Sequence, residues 1–108
     1  MVKKLSEGEF EEQVLKAPGR EVIAFYAISN PDAGQIAKEL DRAAKDVAGN
    51  ADIFWVDIDE EPALARAYAD GDITYVLFED GEQALDSHVQ LTAAQLIRMA
   101  TDIEFGAD

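Results

Sequence analysis

Few residues in this chain can do covalent or metal chemistry. Its 108 residues include 1 histidine, His88, and no cysteine. A thiol nucleophile, a disulfide scaffold, a zinc–thiolate centre and an iron–sulfur cluster built from this chain are therefore excluded. A single histidine also rules out a multi-histidine metal site within one chain. His88 could serve as a general base only with a hydroxyl or carboxylate beside it, and spacing alone assigns it no such partner. A lone histidine in a strand pattern is more simply structural or solvent-facing. Asp57, Asp59, Glu60 and Glu61 are close in sequence, with Asp70 and Asp72 beyond a short helix. Hard cations require several oxygens around a glycine-enabled turn. The EF-hand spacing is absent, so we expect no metal and no cofactor. Ser29-Asn30-Pro31-Asp32 has the composition of a turn that runs into a helix cap.

These residues must be positioned by regular elements, and the apolar pattern predicts them in order. A short strand over residues 2–5 precedes a helix reaching about Lys16. Ser6 and Glu9 form a capping box at its start, with Phe10 and Val14 on one face. Val22-Ile23-Ala24-Phe25-Tyr26 reads as a strand buried on both sides. Asp32 and Gln35 suggest a second capping box. The helix behind it carries Ile36, Ala37, Leu40, Ala44 and Val47 in a stripe up to Gly49-Asn50. Ile53-Phe54-Trp55-Val56 is a second buried strand. Pro62 fits the first position of a short helix, where Leu64, Ala67 and Tyr68 would face inward. Residues 73–78 and 83–88 are strands joined by a hairpin turn at Glu79-Asp80-Gly81-Glu82. Thr92 and Gln95 give a third capping box, for a last helix with Leu96, Met99, Ala100 and Ile103. Residues 105–108 read as a frayed tail. Trp55, Phe54 and Tyr26 are expected in the core, and Tyr75 either there or lining a groove.

The order is β-α-β-α-β-α-β-β-α. Two βαβ crossovers require a parallel core, and the hairpin adds antiparallel strands. Because the central strands are apolar throughout, helices should cover both faces. The length fits one domain, 1–108.

Composition narrows the partners. The chain carries 23 Asp plus Glu against 9 Lys plus Arg, a formal net charge of −14, and is 48% hydrophobic. Such an apolar content argues against disorder. The charge repels nucleic acid and anionic membranes and favours solubility and basic partners; it is also compatible with a high-salt habitat. The longest apolar run, residues 22–28, is far shorter than the roughly 20 residues a membrane span needs. No signal-peptide pattern is present, so a cytoplasmic location is expected.

In this order and spacing the chain resembles the thioredoxin family. Phe10-Glu11-Glu12-Gln13-Val14-Leu15 is similar to the family's first helix, and Val22-Ile23-Ala24-Phe25-Tyr26-Ala27 to its V-x-V-D-F-W-A strand. Val56-Asp57-Ile58-Asp59-Glu60-Glu61-Pro62, with Ala65 and Tyr68, resembles V-D-x-D-x-N-P…A-x-x-Y. Phe78-Glu79-Asp80-Gly81-Glu82 resembles the F-K-x-G-E hairpin. The resemblance implies an α/β fold with a central mixed sheet of about five strands flanked by four helices.

It also implies where the family's chemistry should be, and that chemistry is gone. The W-C-G-P-C motif falls on Ser29-Asn30-Pro31-Asp32-Ala33, so Asn30 and Ala33 replace the cysteines. An amide and a methyl cannot attack a disulfide, a step that needs a thiolate. The buried carboxylate of the family falls on Ala24. Its cis-proline falls on Ile73 or Thr74, and its groove-opening glycine on Val89. The resemblance therefore implies a redox-inactive member, not an enzyme of thiol–disulfide exchange.

Thioredoxin-like proteins hold peptides in extended form beside the motif loop. That surface maps here to Ile28, Ser29, Asn30, Pro31, Asp32, Ile73, Thr74 and Val89, where backbone hydrogen bonding could persist. Some cysteine-free members of the wider family are accessory factors in metalloenzyme maturation that bind basic signal peptides. By analogy, we expect a binding or assembly module, chaperone-like, for a protein or basic peptide. Two other readings stand beside it: a non-thiol enzyme using Asp32, other acids and His88, and a homodimer joined through the lost active-site surface.

Overall fold

A computed structural model describes residues 2–101. Its sheet grows from β2 (Arg20–Tyr26), a strand buried at every position from Glu21 onward. On one side β2 pairs in parallel with β3 (Asp52–Asp57), and β1 (Lys3–Lys4) pairs in parallel outside β3. On the other side β2 pairs antiparallel with β4 (Ile73–Glu79), which carries β5 (Glu82–Ser87) in antiparallel register. The strand order is β1-β3-β2-β4-β5, the mixed five-stranded sheet that the pattern of crossovers and hairpin implies.

Successive side chains of a strand point to opposite faces. Val22, Ala24 and Tyr26 pack with Ile36, Leu40, Ala43 and Val47 of α2 (Ala33–Val47) and with Leu96, Met99 and Ala100 of α4 (Ala93–Thr101). Ile23 and Phe25 pack on the other face with Phe10, Val14 and Leu64. Phe10 belongs to α1 (Glu7–Phe10), and Leu64 to α3 (Pro62–Tyr68). Phe10 lies 6.3 Å from Phe25, 5.3 Å from Tyr68 and 5.5 Å from Phe78 between ring centroids, tying both helices to the sheet.

The capping boxes at Ser6/Glu9 and Thr92/Gln95 form. At the first, the Ser6 backbone N–H and the Lys3 ammonium hold the Glu9 carboxyl down to about 2. The box expected at Asp32/Gln35 does not form. Asp32 has φ −99 and ψ 11, outside the extended backbone from which an N-cap side chain reaches the helix N–H groups, and it makes no side-chain cap bond. Gln35 donates instead to Glu39, 3.2 Å away. The first helix also departs from expectation. After Phe10 it widens into a π-helical turn over Glu11–Leu15, closed by Lys16 N donating to Glu11 O at 3.0 Å. Ala67 is exposed, since only Leu64 and, in part, Tyr68 of α3 face the sheet. Phe54 and Trp55 are half-buried because the strand outside them has only two residues. Ile103 and residues 105–108 lie outside the described residues.

Gly8 offers a test of the local reading. It is exposed within α1, and a Cβ built there meets no atom within 4 Å. Gly8→Ala should stabilise the protein by ~0.5–1 kcal/mol through lost unfolded-state entropy, seen as a higher urea midpoint at unchanged slope.

Candidate functional site

The strand β2 must turn into α2 through residues 27–32, and Asn30 shapes that turn. Its backbone N–H donates to Ala27 O at 2.9 Å, and its carbonyl accepts from Ala33 N at 2.9 Å. The side-chain Oδ1 accepts from Asp32 N at 2.8 Å, the local bond that makes asparagine a turn residue. Nδ2 donates to Asp72 O at 3.4 Å, fastening the loop to the segment that opens β4. Where the resemblance implies a redox cysteine, the Asn30 side chain is a structural clip.

Across from it, Ile73 is half-buried and pairs in register with Tyr26. Thr74 is fully buried. Its hydroxyl accepts from Asp70 N at 2.8 Å, donates to Asp70 O at 3.0 Å, and lies 3.3 Å from His88 Nδ1. Val89, the next residue, is 65% exposed. Ile28, Ser29, Pro31 and Asp32 are exposed and Asn30 is half-buried. Asn30 is thus joined to the Asp72–Ile73 segment, and Val89 to Thr74 through His88. Thr74 supports this surface from beneath; its side chain is not presented outward. No peptide bond among the described residues is cis, and Ala24, where the resemblance implies the family's buried carboxylate, is fully buried in the core.

His88 does have the partners that spacing could not assign. Its Nε2 lies 3.3 Å from Asp86 Oδ2, and its Nδ1 faces the Thr74 hydroxyl. Asp86 and His88 stand two apart near the end of β5, and the Tyr75–Ser87 register brings this stretch beside Thr74. Hydroxyl, imidazole and carboxylate are the residue types of a hydrolytic triad. Here the hydroxyl is buried and already engaged with Asp70 in both directions, so no substrate carbonyl can reach it. The arrangement buttresses the strands, and Thr74 is not an accessible nucleophile. Among the described residues no group of three or more His, Cys, Asp or Glu side chains is placed to hold a metal ion. None of the described helices is long and apolar enough to cross a membrane.

Two recesses flank the turn. One, of about 370 Å³, opens between the β1–β3 side of the sheet and α2; it is lined by Val2, Tyr26, Ile28, Ala33, Gly34, Ala37, Leu40, Asp41 and Trp55. Tyr26 and Trp55 stack within it, ring centroids 4.8 Å apart and planes 25° off parallel. Burial, with Tyr75 and the Asp41 and Asp57 carboxylates adding to it, pushes the Tyr26 phenol up to about 12, so it stays neutral. The other recess, of about 270 Å³, is lined by Ala27, Ser29, Asn30, Pro31, Ile58, Asp59 and Asp72. Sequence reasoning treats Tyr26 and Trp55 as core and misses the first recess. Its signal is the run of small residues Ala33, Gly34 and Ala37 on the sheet-facing side of α2, too short to fill the space over the rings.

The thioredoxin family model matches residues 1–102. Thioredoxins of Staphylococcus aureus, strains MW2 and N315, are 32% identical over 80 residues, covering 73% of this chain and 75% of theirs. The crystal structure of chloroplastic thioredoxin z superposes with a TM-score of 0.84 at 27% identity, covering 97% of this chain and 96% of that one. A match spanning the whole sheet and its four helices, in a sequence without a cysteine, places this chain in the thioredoxin family as a member that lacks the family's thiols.

Proposed function

We propose that this protein is a redox-inactive binding module, a chaperone-like adaptor that holds an extended segment of a protein partner against the surface around Asn30. One observation carries the reading. The two most exposed large apolar side chains among the described residues are Ile28 at 73% and Val89 at 65%, both on the surface that the resemblance assigns to the family's active site. Single exposed apolar residues are ordinary. Two at the one place where the family meets its substrates, on a turn that Asn30 keeps shaped, favour retained recognition after the loss of chemistry. Asp32, Asp59 and Asp72 stand in or next to the same turn, so a segment bearing Lys or Arg is favoured over an acidic one. The crystal structure of thioredoxin z is described as defining a novel type-specific target recognition. That property belongs to thioredoxin z, and it makes target binding a fitting first assay here.

The assay is titration calorimetry with a short extended peptide alternating Leu, Ser and Arg. Binding should weaken with added salt. Val89→Arg together with Asn30→Arg should weaken it by ~10-fold or more, since both changes place a cation and bulk on the contact surface. Thr74 is left unchanged because it is buried. Equal affinity in wild type and variant removes this surface from the account.

A further inference from the structure

Ile28 lines the larger recess and its neighbours Ala27 and Ser29 line the second, and the binding surface proposed for the partner touches the larger one only at Ile28. Its floor is the Tyr26–Trp55 stack, its wall the short side chains of α2, and Asp41 stands at its rim. At about 370 Å³ it falls in the size range of small-ligand pockets, about 300–1,000 Å³. Leu40 is fully buried at its base, while Ile28 stands exposed at its mouth. The charged residues lining the two recesses are acidic, Asp41 in the first, which accepts from Val2 N at 2.8 Å, and Asp59 and Asp72 in the second; Lys4 Nζ stands 5.8 Å from the Trp55 ring centroid but is paired with Glu60 at 2.7 Å.

We infer that the apolar cleft between α2 and the Tyr26–Trp55 stack is an anchor pocket for one bulky aliphatic or aromatic side chain of a basic partner peptide, whose neighbouring Lys or Arg meets Asp41 or, across the turn, Asp59 and Asp72. The inference rests on the binding-module reading and deepens it by naming what the partner must carry. Two physical facts favour a peptide of this kind. An apolar side chain placed on the stacked rings leaves water for a lining that is mostly carbon, where Asp41 already accepts from Val2 N at 2.8 Å. With Lys4 paired to Glu60, the carboxylates around the two recesses favour a cation over an anion, which disfavours a second copy of this chain: a copy would bring its own three carboxylates to a molecule of net charge −14.

The chain contains a single tryptophan, Trp55, so the cleft carries its own fluorescent reporter. The probe is a tryptophan-free peptide with one Leu between Arg residues in a Gly/Ser background, compared with the same peptide bearing Gly for Leu and with one bearing Glu for Arg. The Leu peptide should shift Trp55 emission to shorter wavelength and bind ~10-fold or more tightly than the Gly peptide. Gly34→Leu fills the cleft from its wall at a position where a Cβ meets no atom within 4 Å. It should abolish both the shift and the preference for Leu, and Ala37→Phe should do the same by a second route. Val89→Arg should weaken both peptides while sparing the preference. Equal binding of Leu and Gly peptides with no response from Trp55 overturns the anchor pocket and leaves the binding module standing. Failure of wild type to bind either peptide ends both readings. Equal affinity for the Glu peptide overturns the basic partner. Concentration-dependent dimers that Gly34→Leu dissolves overturn the peptide in favour of a second copy.

Discussion

At pH 8, Glu21→Gln should unfold with a free energy ~2–3 kcal/mol higher than wild type, and near pH 4.5 the two proteins should be equally stable. Glu21 is 2% exposed on β2, and its Oε1 has no hydrogen-bond partner. The nearest arginine in sequence, Arg20, turns away to Ala100 O at 3.2 Å and to Glu79 at 3.6 Å. Burial, reinforced by the Asp52 and Asp80 carboxylates, raises the Glu21 carboxyl from its ordinary 4.5 to about 7. The folded protein therefore holds a proton there that the unfolded chain has released. Through that interval, stability falls as pH rises: it is complete below about 4.5, declines towards about 7, and is level above it. Glutamine keeps the shape of the protonated acid and cannot ionise, so the variant lacks this decline. Urea denaturation of both proteins at several pH values measures the difference. Parallel profiles would mean that Glu21 finds a partner or water in solution.

Gly81→Ala should cost ~2–4 kcal/mol, about twice the effect of Gly19→Ala. Both glycines have positive φ, 85° and 89°, so each substitution carries the left-handed penalty of ~1–2 kcal/mol. They differ in surroundings. A Cβ on Gly19 meets nothing within 4 Å, whereas one on Gly81 falls 2.2 Å from the carbonyl oxygen of Leu15. That oxygen is backbone at the end of the π-helical turn and cannot swing aside. With Asp80 at φ 50°, Gly81 completes a two-residue hairpin turn of the kind that matches strand twist. Asp80 is fastened on its other side to Gly19, by its own N–H to Gly19 O at 2.8 Å and by Oδ1 accepting from Gly19 N at 2.8 Å. The tip of the β4–β5 hairpin is thus held against two other turns. Thermal melts of the two alanine variants check the contrast, and equal losses would show that the Leu15 carbonyl yields.

Some of this was legible in the residues and some was not. The strands and their order follow from apolar runs, turn residues and the limits on crossovers. Ser6/Glu9 and Thr92/Gln95 succeed as capping boxes because each pair meets only its own first helical turn. Asp32/Gln35 fails because Asn30 takes the Asp32 N–H and Glu39 takes the Gln35 amide. Glu39 is itself instructive. It sits on the buried side of α2 and accepts from Ala93 N at 2.8 Å, capping α4 from another helix. No local pattern encodes a partner 54 positions away. Glu21 was invisible for the same reason, since its burial depends on what β3 and the hairpin bring beside it. At the candidate site, the loss of sulfur chemistry is plain from composition. The fate of the vacated positions is not: that Asn30 clips two loops and that Thr74 turns inward both depend on contacts across the sheet.

The sheet ends at β5, and a strand with no neighbour presents a row of unpaired N–H and C=O groups on which another chain can add itself. Glu82 and Asp86 stand exposed along β5. Any strand from a second copy would lay the same acids alongside, and like charges at strand-pairing distance repel. Part of the chain's acidity thus acts as a guard against edge-to-edge aggregation. Molar salt shortens the reach of that repulsion to about 3 Å, and concentrated brine is the condition in which this flank is left least protected.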